Sequence, residues 1–163
     1  MTEQSEQLPE RHRAYERALT MLAARGYATA ELRRRLVRSG FAAPDVEAVV
    51  GRLTAAGLLD DAAYARQLAR SKLLDGGAAS RRVRRELAAR GVGRPVADAA
   101  IAEVMADEEV DESHLAEQVA CRRAMALARF DHATQRRRLY AYLARRGYDA
   151  DDIRRAVKVA LGD

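Results

Sequence analysis

A short pattern that returns along the chain constrains its fold more than any other feature. Leu36, Leu87 and Leu143 each stand four residues before a glycine (Gly40, Gly91 and Gly147). Each glycine is followed by an apolar residue: Phe41, Val92 and Tyr148. Leu22, Gly26 and Tyr27 repeat the spacing. An α-helix commonly ends on a residue in the left-handed region, which glycine enters without a Cβ penalty. The next residue then folds an apolar side chain back onto the third-from-last helical residue. The pattern therefore predicts four helix ends, with Gly26, Gly40, Gly91 and Gly147 as structural residues.

Three of the four stretches extend further. Leu32, Val83 and Leu139 lie one turn before the leucine, on the same helical face. Pro44 and Pro95 follow their glycines by four residues, a place suited to the first turn of a new helix. Asp151 takes that place in the third copy, where a negative charge suits the helix dipole. Then come Val46, Val49, Val50 and Leu53, matched by Ala97, Ala100, Ile101 and Val104, and by Ile153, Ala156, Val157 and Ala160. Such i, i+3, i+4, i+7 stripes mark amphipathic helices. Another amphipathic helix is expected before each unit, near 12–25 (Ala18, Leu19, Leu22), 61–75 (Tyr64, Ala65, Leu68, Leu73) and 110–129 (Leu115, Val119, Ala120, Leu127). Thr29 and Ser80 sit where N-caps would, and Thr134 is a weaker match.

No stretch alternates with period two. The chain reads as all-α, an elongated tandem array of three three-helix repeats with about nine helices. Residues 1–10 form a disordered tail in this reading. The repeats occupy 11–60, 61–106 and 107–163. At the first joint, Gly57 closes one helix and Asp60 or Asp61 caps the next, so Asp61 is counted as structural. Near the second joint, six acids and no base lie between Asp107 and Glu117. They read as the solvated start of a long helix.

Composition narrows the class. The 163 residues carry a formal net charge of +5 with a pI of about 9.8, which favours an acidic partner such as nucleic acid. Only Lys72 and Lys158 are lysines, a mark first of a G+C-rich genome. Cys121 is alone, which points to a reducing compartment. The polar N-terminus does not look like a signal peptide, and no apolar run is long enough to span a membrane. A cytoplasmic protein is expected.

The segments "LLDDAAYA" (58–65), "GGAASRRVRRELAARGV" (76–92) and "RRRLYAYLARRGYDADDIRRAV" (136–157), in that order and spacing, resemble the RecX family of recombinase regulators. The resemblance covers about residues 14–160. It implies a non-enzymatic protein that binds the RecA recombinase–DNA filament along its groove; a monomer without cofactor is expected. Such a protein opposes filament growth, ATP hydrolysis, strand exchange and coprotease activity in recombination, DNA repair and the SOS response. It also implies weak binding to single- and double-stranded DNA without sequence preference. The third repeat departs from the first two in lacking the proline, and lysine is scarcer than in the family.

The residues speak to binding independently. Residues 61–105 carry nine bases against five acids, whereas 1–60 and 106–163 are nearly balanced. On the second helix of each repeat, Arg34 and Arg38, Arg81 and Arg85, and Arg137 and Arg145 point away from the apolar face, with Arg82 and Arg138 beside them. These eight arginines form the candidate filament- or DNA-binding set, although exposed helix faces are often charged for solubility alone. Asparagine is absent, which disfavours an adenine-reading element. Tyr64 and Tyr142 read as core, and Tyr140 as half exposed. His12, His114 and His132 are scattered, so neither a metal site nor a catalytic residue is expected. "DGG" at 75–77 lacks the Lys-Ser/Thr of a phosphate loop and reads as a connector. Asp60–Asp61 and Asp151–Asp152 read as caps. Two alternatives stand beside the family reading. One is a general nucleic-acid-binding helical module. The other is a helical adaptor for a protein groove, with the basic stripe incidental.

Overall fold

The computed structural model describes residues 10–162, which form nine α-helices and no strand. The first unit holds α1 (Glu10–Ala24), α2 (Thr29–Arg38) and α3 (Ala43–Ala55). The second holds α4 (Asp61–Arg70), α5 (Ser80–Ala89) and α6 (Arg94–Asp107). The third holds α7 (Glu112–Leu127), α8 (His132–Arg146) and α9 (Ala150–Leu161). In each unit the first and third helices pack together and the second helix lies against the third. The expected tail lies outside the described residues except for Glu10, which opens α1.

The helix ends follow the glycine pattern at three of its four places. Gly40, Gly91 and Gly147 have φ of 95°, 86° and 94°. The N–H after each glycine donates to the expected leucine carbonyl: Phe41 to Leu36 at 3.3 Å, Val92 to Leu87 at 3.0 Å and Tyr148 to Leu143 at 3.4 Å. Gly26 departs from the pattern. Helix α1 already stops at Ala24, and Gly26 lies outside the left-handed region. A Cβ on Gly26 would meet the Tyr64 ring at an ordinary 3.4 Å, so neither backbone conformation nor space demands glycine at this place. The α1 face is also rotated from the expected stripe: Ala14, Ala18 and Met21 are buried, whereas Leu19 is exposed.

Two apolar cores result. One belongs to the first unit and centres on Leu32, Leu36, Val46, Val49 and Leu53. The other runs unbroken through the second and third units, from Leu73, Val83 and Leu87 to Leu139, Leu143 and Ile153. Ala28 reaches into the second core from the first unit. Full burial of each such leucine contributes roughly 1.5–3 kcal/mol.

Helix capping differs from the expectation in an informative way. Thr29 and Ser80 are the first helical residues of α2 and α5, and the caps before them, Ala28 and Ala79, offer no side-chain acceptor. The acceptors come from the next unit. Asp61 Oδ1, at the start of α4, accepts the Thr29 N–H at 2.7 Å. Glu112, at the start of α7, accepts the Ser80 N–H at 2.9 Å and its hydroxyl at 2.5 Å. Asp61 is thus structural in a way its own helix does not reveal, while Asp60 caps α4 by accepting from Ala63. Asp131 and Asp149, rather than Thr134 and the Asp151–Asp152 pair, cap α8 and α9. The acidic run near 107–117 spans the end of α6, a tight turn and the start of α7.

The helix expected over 61–75 changes form at Ser71. Residues 71–75 make a π-helical turn, closed by the Gly76 N–H donating to the Ser71 carbonyl at 3.0 Å. The turn widens the helix by one residue and leads into Gly76–Gly77.

Candidate nucleic-acid interface

The second helices of successive units meet end to start. A Cβ on Gly91, at the end of α5, would lie 2.5 Å from the Ala30 Cβ in the first turn of α2. A Cβ on Gly147, at the end of α8, would lie 3.1 Å from the Arg82 Cβ in the first turn of α5. At each joint an arginine also reaches the carbonyl two residues before the glycine. Arg34 Nη2 donates to Ala89 O at 3.2 Å, and Arg82 Nη1 donates to Arg145 O at 2.6 Å. The Ala79 N–H adds a bond to Arg146 O at 2.9 Å. The carbonyls left over at a helix C-terminus attract cations, so these arginines complete helix ends in the neighbouring unit.

The eight candidate arginines therefore divide. Arg34 and Arg82 are engaged in the joints. Arg138 stacks over the Phe130 ring, 3.9 Å from its centroid. The side chains of Arg38, Arg81, Arg85, Arg137 and Arg145 are exposed and make no ion pair or hydrogen bond with described residues. Three other arginines of the middle unit are neutralised. Arg84 and Arg94 share Asp98, whose carboxyl they hold below the usual carboxylate range, and Arg90 pairs with Glu86 and Glu31. Tyr140 is 41% exposed. Tyr142 is not core but half-buried, with the guanidiniums of Arg146 and Arg123 at 3.9 and 4.9 Å from its centroid. Tyr64 packs half-buried against the core.

A groove of about 990 Å³ runs over the joint of the first two units, between α2 and α5. Arg34, Arg38, Val37, Ala89 and Arg90 line it. An ion cluster crosses its floor. Glu31 accepts from Arg25 at 2.5 Å and lies 3.6 Å from Arg90, which in turn donates to Glu86 at 3.1 Å. Burial pushes the Glu31 and Glu86 carboxyls up, but their cationic neighbours outweigh it and hold both below the ordinary value. Sequence periodicity missed Arg25 and Arg90 because their alignment depends on how the units stack. Among the described residues no group of His, Cys, Asp and Glu converges as a metal site. No described helix is long and apolar enough to cross a membrane.

Family models of the first, second and third three-helix domains of RecX match residues 14–53, 60–101 and 111–157. A regulatory protein RecX of Mycobacterium avium is 38% identical over 130 residues, covering 80% of this chain and 74% of its own. The chain belongs to the RecX family. A second RecX, from Stenotrophomonas maltophilia, is 36% identical over 150 residues and covers 92% and 88% of the two chains. The crystal structure of RecX from Lactobacillus salivarius superposes with a TM-score of 0.74 over 93% of this chain and 96% of its own, at 15% identity. The nine-helix array is thus the RecX fold, and the relatives are named as regulatory proteins.

Proposed function

We propose that this RecX family member binds the RecA recombinase–DNA filament and, chiefly by inhibition, regulates its ATPase, strand-exchange and coprotease activities. A basic strip on the second helices carries the contact. The observation that supports this most is the end-to-start joint between second helices. It sets α2, α5 and α8 in sequence and leaves Arg81 and Arg85 of α5 without a protein partner. Guanidiniums so placed suit phosphates or acidic side chains, and phosphate contacts made this way carry no base preference.

The test is ATP hydrolysis by the cognate recombinase on single-stranded DNA, titrated with this protein. Inhibition well below one molecule per recombinase supports filament regulation by capping of growing ends. Inhibition only near equal amounts supports coating of the groove. No effect, with DNA binding intact, refutes the reading in favour of a general nucleic-acid-binding helical module.

A further inference from the structure

A second cavity, of about 370 Å³, lies where the second and third units meet. The Gly76–Gly77 loop closes one side, Arg122 and Arg123 of α7 another, and Tyr142 and Arg146 of α8 the third. Three arginines line this space. Its one lining carboxylate, Asp75, pairs with none of them.

The side chains are held in place. The guanidiniums of Arg146 and Arg123 both lie over the Tyr142 ring, so cation–π contacts hold both heads against one side chain. The Arg146 carbonyl is anchored by Ala79 and the Gly77 carbonyl by the buried Tyr148 hydroxyl at 3.2 Å. Gly77 has φ of 60°, and a Cβ there would lie 2.6 Å from Val119 Cγ2 and 3.6 Å from Arg146 Nε. Only glycine lets the loop close so near to α7 and Arg146. Arg146 Nε is buried and has no hydrogen-bond partner among the described residues. It is closed to solvent, so an anion in the cavity would meet the terminal nitrogens of Arg146 together with Arg122 and Arg123, and Nε–H reports on that guanidinium from behind.

We propose that this cavity is a phosphate site that takes one phosphodiester of a nucleic-acid strand, bridging the second and third units. A planar guanidinium offers paired donors matched to phosphate oxygens. The volume, at the low end of the roughly 300–1,000 Å³ usual for ligand cavities, suits a phosphate with its sugar. The Gly76–Gly77 loop leads within four residues to Ser80 and Arg81 of α5, so a strand seated here continues onto the unpaired arginines. The assignment rests on the nucleic-acid contact proposed above, and free phosphate would satisfy the same chemistry.

The experiment follows the Arg146 Nε–H resonance by NMR in the full chain, assigned by its loss in Arg146→Lys. Oligo-dT, inorganic phosphate and polyglutamate are titrated in turn, while fluorescence anisotropy reports oligo-dT binding separately. The expected result is a large shift with oligo-dT that is absent in Arg123→Gln. That variant should also lower the salt slope of oligo-dT affinity by about 0.7, the value for one single-strand phosphate. An unmoved resonance while oligo-dT binds overturns the site and leaves the nucleic-acid reading intact. A shift with phosphate alone, without oligo-dT binding, overturns the strand as occupant and the nucleic-acid reading with it. A shift with polyglutamate but not oligo-dT assigns the cavity to an acidic protein segment and overturns the proposal.

Discussion

Replacing three glycines by alanine separates backbone conformation from inter-unit packing. Gly40 and Gly91 occupy equivalent helix ends, with φ of 95° and 86°. Alanine in the left-handed region costs about 1–2 kcal/mol at either place. Their surroundings differ. A Cβ on Gly40 meets nothing within 4 Å, whereas one on Gly91 would lie 2.5 Å from the Ala30 Cβ of the preceding unit. Forcing an extra methyl into such a contact adds typically 1–3 kcal/mol. Gly40→Ala should therefore lose about 1–2 kcal/mol and Gly91→Ala about 2–5 kcal/mol in total. Gly26 carries the same local sequence signal but no positive φ, and its Cβ would meet Tyr64 at an ordinary 3.4 Å. Gly26→Ala should fall within about 0.5 kcal/mol of wild type. Urea unfolding followed by circular dichroism measures all three. Adding Ala30→Gly to Gly91→Ala should recover the packing part, less at most about 1 kcal/mol for a glycine in the helix. Equal losses at Gly40 and Gly91, or no recovery in the double variant, would refute the joint.

Three further outcomes follow from the same geometry. Asp61→Ala should destabilise the chain by about 0.5–2 kcal/mol, as loss of a helix cap does. Hydrogen exchange should then speed up at the Thr29 amide and stay unchanged at Ala63, which Asp60 caps. The Glu31 and Glu86 carboxyls have folded pKa values below their unfolded ones, so their stabilisation is present above the unfolded values near pH 4.3 and is lost as pH falls through the folded ones. Thermal scans should show a melting temperature that drops below about pH 4, and a smaller drop in Glu31→Gln; an identical drop in that variant would place the acid sensitivity elsewhere. Charge reversal at Arg81 and Arg85 should weaken inhibition of the recombinase ATPase at least several-fold more than reversal at Arg154, which pairs with Asp151. Equal effects would remove the functional meaning of the α5 face.

How far the fold could be read from the sequence depended on whether a signal was local. The Leu–Gly–apolar ends and the stripes from Val46, Ala97 and Ile153 concern one helix each, and the structure places those stripes in the cores. Gly26 shows the limit. Its neighbours in sequence match those of Gly40, but α1 ends earlier, and the same spacing leaves a glycine with neither a positive φ nor a tight contact. Asp61 and Glu112 show a second limit. Each sits at the start of its own helix and so resembles a local cap, yet its carboxylate serves a helix 32 positions earlier. For the candidate interface, helical geometry correctly turned Arg81 and Arg85 to solvent. It could not separate them from Arg34 and Arg82, because the carbonyls that engage those two belong to the neighbouring unit. Arg122, Arg123 and Arg146 carried no signal at all, since two helices of one unit and a loop of another bring them together.

The charge excess of the middle unit becomes informative only once its partners are subtracted. Residues 61–105 hold nine bases. Arg66 faces Glu103, Arg70 faces Asp107 and Glu108, and Lys72 faces Glu86. Arg84 and Arg94 share Asp98, and Arg90 lies between Glu86 and Glu31. Arg81, Arg82 and Arg85 remain without a carboxylate, and all three sit on α5. Arg82 is held at Arg145 O, so the guanidiniums of the unit that are free of both carboxylates and carbonyls narrow to two, one helical turn apart. Solubility alone would be served as well by charge spread over the surface. Here the paired positions cover the rest of the unit and the unpaired ones are adjacent, on the helix whose two ends make both joints. A basic partner surface would be repelled from that point and an acidic one drawn to it, which is why the α5 face, rather than the net charge of the chain, carries the functional argument.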